Sequence, residues 1–265
     1  MKRAICVILA LCLCLSLAAC GGGRGVKAVQ TLVEQEYSIA FRPDDPIGGY
    51  VVAAIEVLAA EGKVDELAIK WFGERAVDFP KDAKAMDNVP ELEPRDLIVG
   101  MDINSFPLAY MTNGEFWGYD VELATAAAEK LGWGVKFQAI EKENVYIELS
   151  SGNIDCAWGG VALNESELSQ GLYVQFGPYM KNDIVIAVRN GTLAWNRLML
   201  SGKTMTMCST TEAMDALNSD EKLAGRLKQV TRLAGGTTEC FQYLYSGKCD
   251  AVLTDSTALL YFNCH

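Results

Sequence analysis

A chain of 265 residues that is half apolar can bury a sizeable core, as one large domain or as two smaller lobes. Its net charge of −11 argues against a surface that tracks nucleic acid or adheres to anionic lipid. Its nine cysteines include five beyond residue 20, a number that is odd and shows no metal-ligand spacing. Buried free thiols are the expectation for Cys156, Cys208, Cys240, Cys249 and Cys264, with one disulfide involving Cys240 or Cys264 left open.

Lys2 and Arg3 precede an uncharged apolar run from Ala4 to Ala19. A bilayer-spanning helix needs about 20 apolar residues, and this run fits the core of a secretory signal over residues 1–19 better. An ordinary cleaved signal and an uncleaved anchor are the competing readings for its end, discussed with Cys20 below. Residues 20–26, with Gly21-Gly22-Gly23-Arg24-Gly25, read as a flexible tether. Apolar residues at helical spacing predict helices over 49–61, ended by Gly62, and over 64–71. From Glu74 to Arg95 the chain turns polar, with Pro80, Pro90 and Pro94, and reads as an unusually long linker. Strands are predicted at 97–101, 135–140, 184–188, 204–208 and 229–233, and helices at 120–131, 210–217 and 220–228.

An internal echo organises the remainder. Ser151-Gly152-Asn153-Ile154-Asp155-Cys156-Ala157-Trp158 matches Ser246-Gly247-Lys248-Cys249-Asp250-Ala251-Val252-Leu253 in pattern. Each copy follows an amphipathic helix, 143–150 or 238–246, with a Gly where a helix end takes a left-handed residue and then an apolar strand. Helix, Gly and buried strand form the unit of a parallel α/β sheet, and two copies predict two similar α/β lobes.

Leu17-Ala18-Ala19-Cys20 resembles a bacterial lipobox, which implies acylation of Cys20. Farther along, Asp96-Leu-Ile-Val-Gly-Met-Asp102, Asn113-Gly-Glu-Phe-Trp-Gly-Tyr-Asp-Val-Glu-Leu123, Gly152-Asn-Ile-Asp-Cys-Ala-Trp158, Pro178-Tyr179, Leu200-Ser-Gly-Lys-Thr204 and Cys249-Asp-Ala-Val-Leu-Thr-Asp255 occur in one order. Together they resemble the solute-binding proteins of polar-amino-acid ABC transporters, which have the type II periplasmic-binding fold. Glu36-Tyr-Ser-Ile-Ala-Phe-Arg-Pro-Asp-Asp45 and Ala68-Ile-Lys-Trp-Phe-Gly73 are similar to the C-terminal end of that family, yet they come first here. The order is that of a circular permutant, with a fragment of two tandem domains as the competing reading. The resemblance implies a two-lobed α/β fold with lobe 1 from 43–74 and 95–183, and lobe 2 from 27–36 and 190–265. Hinge strands are expected at 37–42 and 184–189, and residues 75–94 would join the ancestral termini.

The resemblance also implies a cleft for a small polar solute, an amino acid or amine. In lobe 1 it points to Asp102, Ser105 and Phe106 on the first strand-to-helix loop. It points as well to Trp158, Gly159, Gly160 and Ala162 after the repeat strand, although Trp158 is more often core. In lobe 2, Ser209-Thr210-Thr211-Glu212 has a capping-box pattern, on sequence alone a plain helix start, and the resemblance implies that Thr210 and Thr211 present helix N–H groups to a carboxylate. Asp255 is the expected grip on an ammonium, or the cap of the following helix, or both. Asp120 reads as the N-cap of helix 121–131. The family's Thr-x-x-Arg clamp is replaced by Asn164-Glu165-Ser166-Glu167, and its stacking aromatic is replaced near Glu141-Lys142-Glu143. Lys142 is then the candidate positive charge, against a solvated lysine as the plainer alternative.

The implied role is delivery of that solute to an ABC permease by a monomeric, extracytoplasmic lipoprotein that meets the membrane only through Cys20. Neither a cofactor, a metal nor nucleic acid is expected. Dehydratases share the fold, but no nucleophile–base pair is visible and the one histidine is the last residue, so no enzyme is expected. A sensory or degenerate lipoprotein of the same fold is the remaining alternative.

Overall fold

The computed structural model describes residues 25–193, 196–208 and 211–265. Cys20 and Thr210 therefore lie outside the described residues, as does the side chain of Thr211.

The chain begins with two consecutive strands, β1 (Val26–Val33) and β2 (Glu36–Phe41). Helix α1 (Pro46–Ala60) starts where Asp45 accepts a hydrogen bond from the Ile47 amide and Pro46 takes the first helical position, which needs no N–H. Helix α2 (Lys63–Phe72) lies between Gly62 and Gly73, both left-handed. Residues 74–95 hold one 3-10 turn, Ala85–Asn88, and lead to β3 (Asp96–Met101). A small hairpin sheet follows, built from β4 (Asn104–Ser105), β5 (Ala109–Thr112) and β6 (Glu115–Trp117). Asn113 and Gly114 turn it with φ of 54° and 82°, the backbone that a two-residue hairpin loop demands. Then come α3 (Tyr119–Lys130), β7 (Gly134–Ala139), α4 (Val145–Ser150), β8 (Cys156–Ala157), α5 (Glu165–Ser169) and β9 (Val174–Lys181). The last stretch contains β10 (Ile184–Arg189), β11 (Thr204–Cys208), α6 (Thr211–Ser219), α7 (Glu221–Ala224), β12 (Gln229–Leu233), α8 (Gly236–Tyr245), β13 (Ala251–Asp255) and α9 (Ser256–Cys264).

Two five-stranded sheets share one plan. One runs β7-β3-β8-β2-β9, the other β12-β11-β13-β10-β1. In each, the first three strands are parallel and the fourth and fifth join as antiparallel neighbours. The sequence echo falls on β8 and β13, the third position of both sheets. Alternation explains the packing: Ile184, Ile186 and Val188 of β10 enter one apolar cluster, while Val185 and Ala187 enter the cluster on the opposite face. Such a strand is apolar throughout because both its faces are covered.

The chain passes between the sheets twice, at Glu34–Gln35 and at Asn182–Asp183. The Asn182 amide donates to the Gln35 carbonyl at 2.9 Å, so the two crossings are bonded to each other. Near the chain ends, Asn263 closes a two-way pair with the Val26 backbone: Val26 N–H donates to its Oδ1 at 2.8 Å, and its Nδ2 donates back to Val26 O at 3.0 Å.

One sequence expectation needs correction here. The helix expected over 220–228 is only the single turn α7, because the Lys228 amide is drawn into a bond with Lys203 O beside β11. The segment 75–94, whose one regular element is its 3-10 turn, packs against the body of the protein. Phe79 is 2% exposed and stacks on Tyr179 with ring centroids 4.9 Å apart, and Val77 is buried beside it. Its apolar residues, sparse and without period, signalled nothing in the sequence.

Candidate functional site

The carboxyl ends of β3 and β13, the third-strand loops and both crossings converge between the sheets. β3 delivers Asp102, and the loop behind it delivers Asn104 and Ser105. The Asp102 carboxylate accepts from the Asn104 amide at 2.9 Å and from its side chain at 3.1 Å, which fixes its direction. Gly160 sits opposite, with φ +72°; a Cβ there would stand 2.1 Å from the Ser105 Cβ, so only glycine lets the two loops meet. Ser105 Oγ donates to Gly160 O at 3.3 Å across that contact.

β13 delivers Asp255 from the other sheet. It stands at the N-cap position of α9, yet its side chain makes no cap bond. Its Oδ1 instead accepts from Asn182 Nδ2 at 2.7 Å. Asn182 is fully buried and ties the second crossing to the start of α9: its Oδ1 accepts from Thr257 Oγ1 at 2.9 Å, and its amide also donates to Tyr37 Oη. Asp183 and Ser256 add two further bonds between the same segments. The crossing is thereby clamped onto the residue that carries the lobe-2 charge.

Asp102, Asp255, Tyr37 and Ser105 border one small cavity of about 20 Å³, together with Gln35, Asn104, Gly160, Ala162 and Ile184. Wider cavities flank it, one of about 520 Å³ lined by Gln35, Ser38 and Ala162 and two others. One of about 360 Å³ contains Lys142, Glu143, Ala162 and Glu167; the other, about 650 Å³, contains Phe106, Tyr110 and Cys208. Burial raises the pKa of Asp102, and burial followed by the nearby Asp102 charge raises that of Asp255. Burial lowers Lys142, while Glu143, Asp102, Asp255 and Asp215 act in the opposite sense. Tyr37 is raised well above the usual phenol value by burial first and then by Asp255 and Asp102. Two desolvated carboxylates, of which Asp102 raises the proton affinity of Asp255, form a place where a bound cation relieves repulsion. A ligand ammonium can satisfy both.

The site residues expected from the sequence separate into groups. Asp102, Ser105, Gly160, Ala162 and Asp255 come together. Lys142 lies in the adjoining 360 Å³ cavity, and Phe106 in the 650 Å³ cavity, where it packs on Tyr110, Tyr261 and Phe262. Gly159 faces Met101 and Ala109 behind the loop and borders none of these cavities. Trp158 is corrected to a core residue: it is 0% exposed, and its Nε1 donates to Asp120 Oδ1 at 3.1 Å. Asp120 is corrected too. It lies in the first turn of α3, whose N-cap is Gly118, and its buried carboxylate also accepts from Tyr179 Oη at 2.7 Å. Asn164, in the stretch that replaces the expected arginine motif, caps α5 by accepting from the Ser166 and Glu167 amides. Tyr37, Gln35 and Asn182 were missed. The signal available was position: a polar residue on a chain crossing between lobes lies beside the cleft by construction.

Among the described residues, no helix is long and apolar enough to cross a membrane. Residues 97–232 match the bacterial extracellular solute-binding proteins, family 3. The "Probable amino-acid-binding protein YxeM" of Bacillus subtilis (strain 168) is 29% identical over 94 residues, 36% of this chain and 36% of that protein. A polar amino acid ABC uptake transporter substrate binding protein from Streptococcus thermophilus is 26% identical, with a TM-score of 0.46, over 60% of this chain and 61% of that one. An ABC uptake transporter substrate binding protein from Streptococcus pneumoniae with bound histidine is 25% identical, with a TM-score of 0.45, over 63% of this chain and 68% of that one. The chain thus spans about a third of the curated relative and less than two thirds of the first of these structures.

Proposed function

The chain belongs to family 3 of the bacterial extracellular solute-binding proteins, and from that premise we propose that it binds a small ammonium-bearing solute, an amino acid or amine, between its two lobes and delivers it to an ABC importer. The observation that carries this reading is the meeting of Asp102 from one sheet and Asp255 from the other at a cavity that Gln35 of the first chain crossing also borders. A ligand held by both carboxylates bridges the sheets, and closure about the two crossings is the hinge motion such a bridge favours. Ser105 and the Gly160 backbone complete the lobe-1 wall. Lys142 lies where it can meet a ligand carboxylate as a point charge.

We propose further that the protein is a lipoprotein held at the membrane through Cys20, monomeric, and circularly permuted, with lobes and linker divided as the sequence suggests. The permutation is supported by the Asn263–Val26 pair, which joins β1 to α9, and by the way β1 and β2 complete one sheet each.

The test is thermal unfolding of the soluble protein from residue 25 onward against amino acids, amines and small peptides, followed by titration of Asp255→Asn. A ligand at about a hundred times its Kd should add about 2.7 kcal/mol of stability. Loss of a charge-assisted bond worth about 1.5–3 kcal/mol should weaken that ligand roughly 10- to 100-fold in the variant. Unchanged affinity in Asp255→Asn would exclude the site.

A further inference from the structure

Two sulfur atoms meet inside the second lobe at the end of the strand that leads to α6. Cys208 closes β11, Cys240 lies within α8, and their Sγ atoms stand 3.6 Å apart. Both belong to the apolar cluster that contains Leu233, Phe241 and Leu244.

We propose that Cys208 and Cys240 form an oxidisable pair that closes to a disulfide in the exported protein. The family works outside the cytoplasm, where disulfides form and persist. The two cysteines are also placed unequally, as an attacking and a resolving thiol are. Cys208 opens onto the 650 Å³ cavity between Phe106 and the Gly235–Gly236 turn, which admits a small oxidant. Cys240 is 0% exposed and does not line that cavity.

The surroundings suit the chemistry. Hydrogen bonds from Cys240 and from Thr237, at 3.4 Å, lower the Cys208 pKa against the opposing effect of burial, while Cys240 is raised by the same contact. Of the two thiols, Cys208 is the one that the cavity reaches, so an attacking oxidant meets it first. The remaining cysteines have other neighbours. Cys249 meets Thr206 Oγ1 at 3.3 Å, Cys264 faces Trp71 O, and Cys156 is raised by burial within the other lobe.

The step balances with a low-molecular-weight disulfide as oxidant. The Cys208 thiolate attacks one of its sulfurs, the S–S bond breaks, and one thiolate leaves and takes up a proton. The mixed disulfide on Cys208 occupies the cavity. Cys240 then gives up its proton and attacks the Cys208 sulfur, expelling the second small thiol. The protein loses two hydrogens and two electrons, and the small disulfide becomes two thiols. The new bond ties the end of β11, and with it the approach to α6, to α8.

The experiment uses the chain from residue 25 onward, exported and purified without reductant, then incubated with oxidised glutathione. It is denatured, alkylated and mapped as peptides. Two of its five thiols should resist alkylation, a Cys208–Cys240 peptide should appear, and reductant should lower the thermal midpoint. Cys208→Ser and Cys240→Ser should each abolish the link and the response to reductant. The wild-type map decides the matter even where a variant fails to fold. Five reactive thiols after oxidation, glutathione retained on Cys208 alone, or a link through Cys249 would each overturn the proposal.

Discussion

Asp120 is fully buried among Trp158, Tyr179 and the Gly160 amide, and burial pushes its pKa up to about 7 despite those three hydrogen bonds. In the unfolded chain the same carboxyl titrates near ~3.9. The native state therefore holds this proton more tightly. Stability from this group is complete below pH ~4 and is lost as pH rises, until the native carboxyl ionises as well near pH 7. At ~1.36 kcal/mol per unit, the linkage removes about 2.5 kcal/mol between pH 5 and pH 8. Urea unfolding at both pH values, in the wild type and in Asp120→Asn, measures it. The asparagine keeps an acceptor for Trp158 and cannot ionise, so its stability should fall much less over that range. Equal pH dependence in the two proteins would refute the assignment of the linkage to Asp120.

Phe79→Ala should cost about 3–5 kcal/mol, because the ring is stacked on Tyr179 and Phe176 and leaves a cavity when truncated; chemical denaturation reads this directly. Gly160→Ala forces a side chain into Ser105 at a left-handed backbone position, so it should abolish ligand binding and lower the thermal midpoint, whereas an alanine at the open Gly49 should do neither. Opening the chain within residues 75–94 and joining residue 265 to residue 25 through a short linker should give a folded protein with the same ligand. Failure of that protein to fold would count against the permutation reading. Affinity for an ammonium ligand should fall as the solution is acidified through the raised pKa values of Asp102 and Asp255, and calorimetric titration should show a flatter pH profile in Asp255→Asn.

Local rules made much of the fold legible. Strands buried on both faces, such as Ile184–Arg189 and Ala251–Asp255, read as apolar runs because both faces need apolar residues. The glycine-ended helices and the echoed strand motif were legible for the same reason: a left-handed residue and a covered strand are local demands. They placed Asp102 and Asp255 at strand ends. Residues whose role depends on a distant neighbour could not be read in this way. Trp158 became core because Asp120 lies beneath it, and Asp255 was released from its helix because Asn182, 73 residues away, takes its bond. Tyr37 entered the site because two crossings meet there, and Cys208 met Cys240 because β11 and α8 pack together. The sequence by itself determined the elements, their two-lobed repetition and the charges available to a ligand. Which charges meet, and which side chains are spent on holding the body together, was decided by the tertiary structure alone, since hydrogen bonds and burial depend on distance in space and not on separation along the chain.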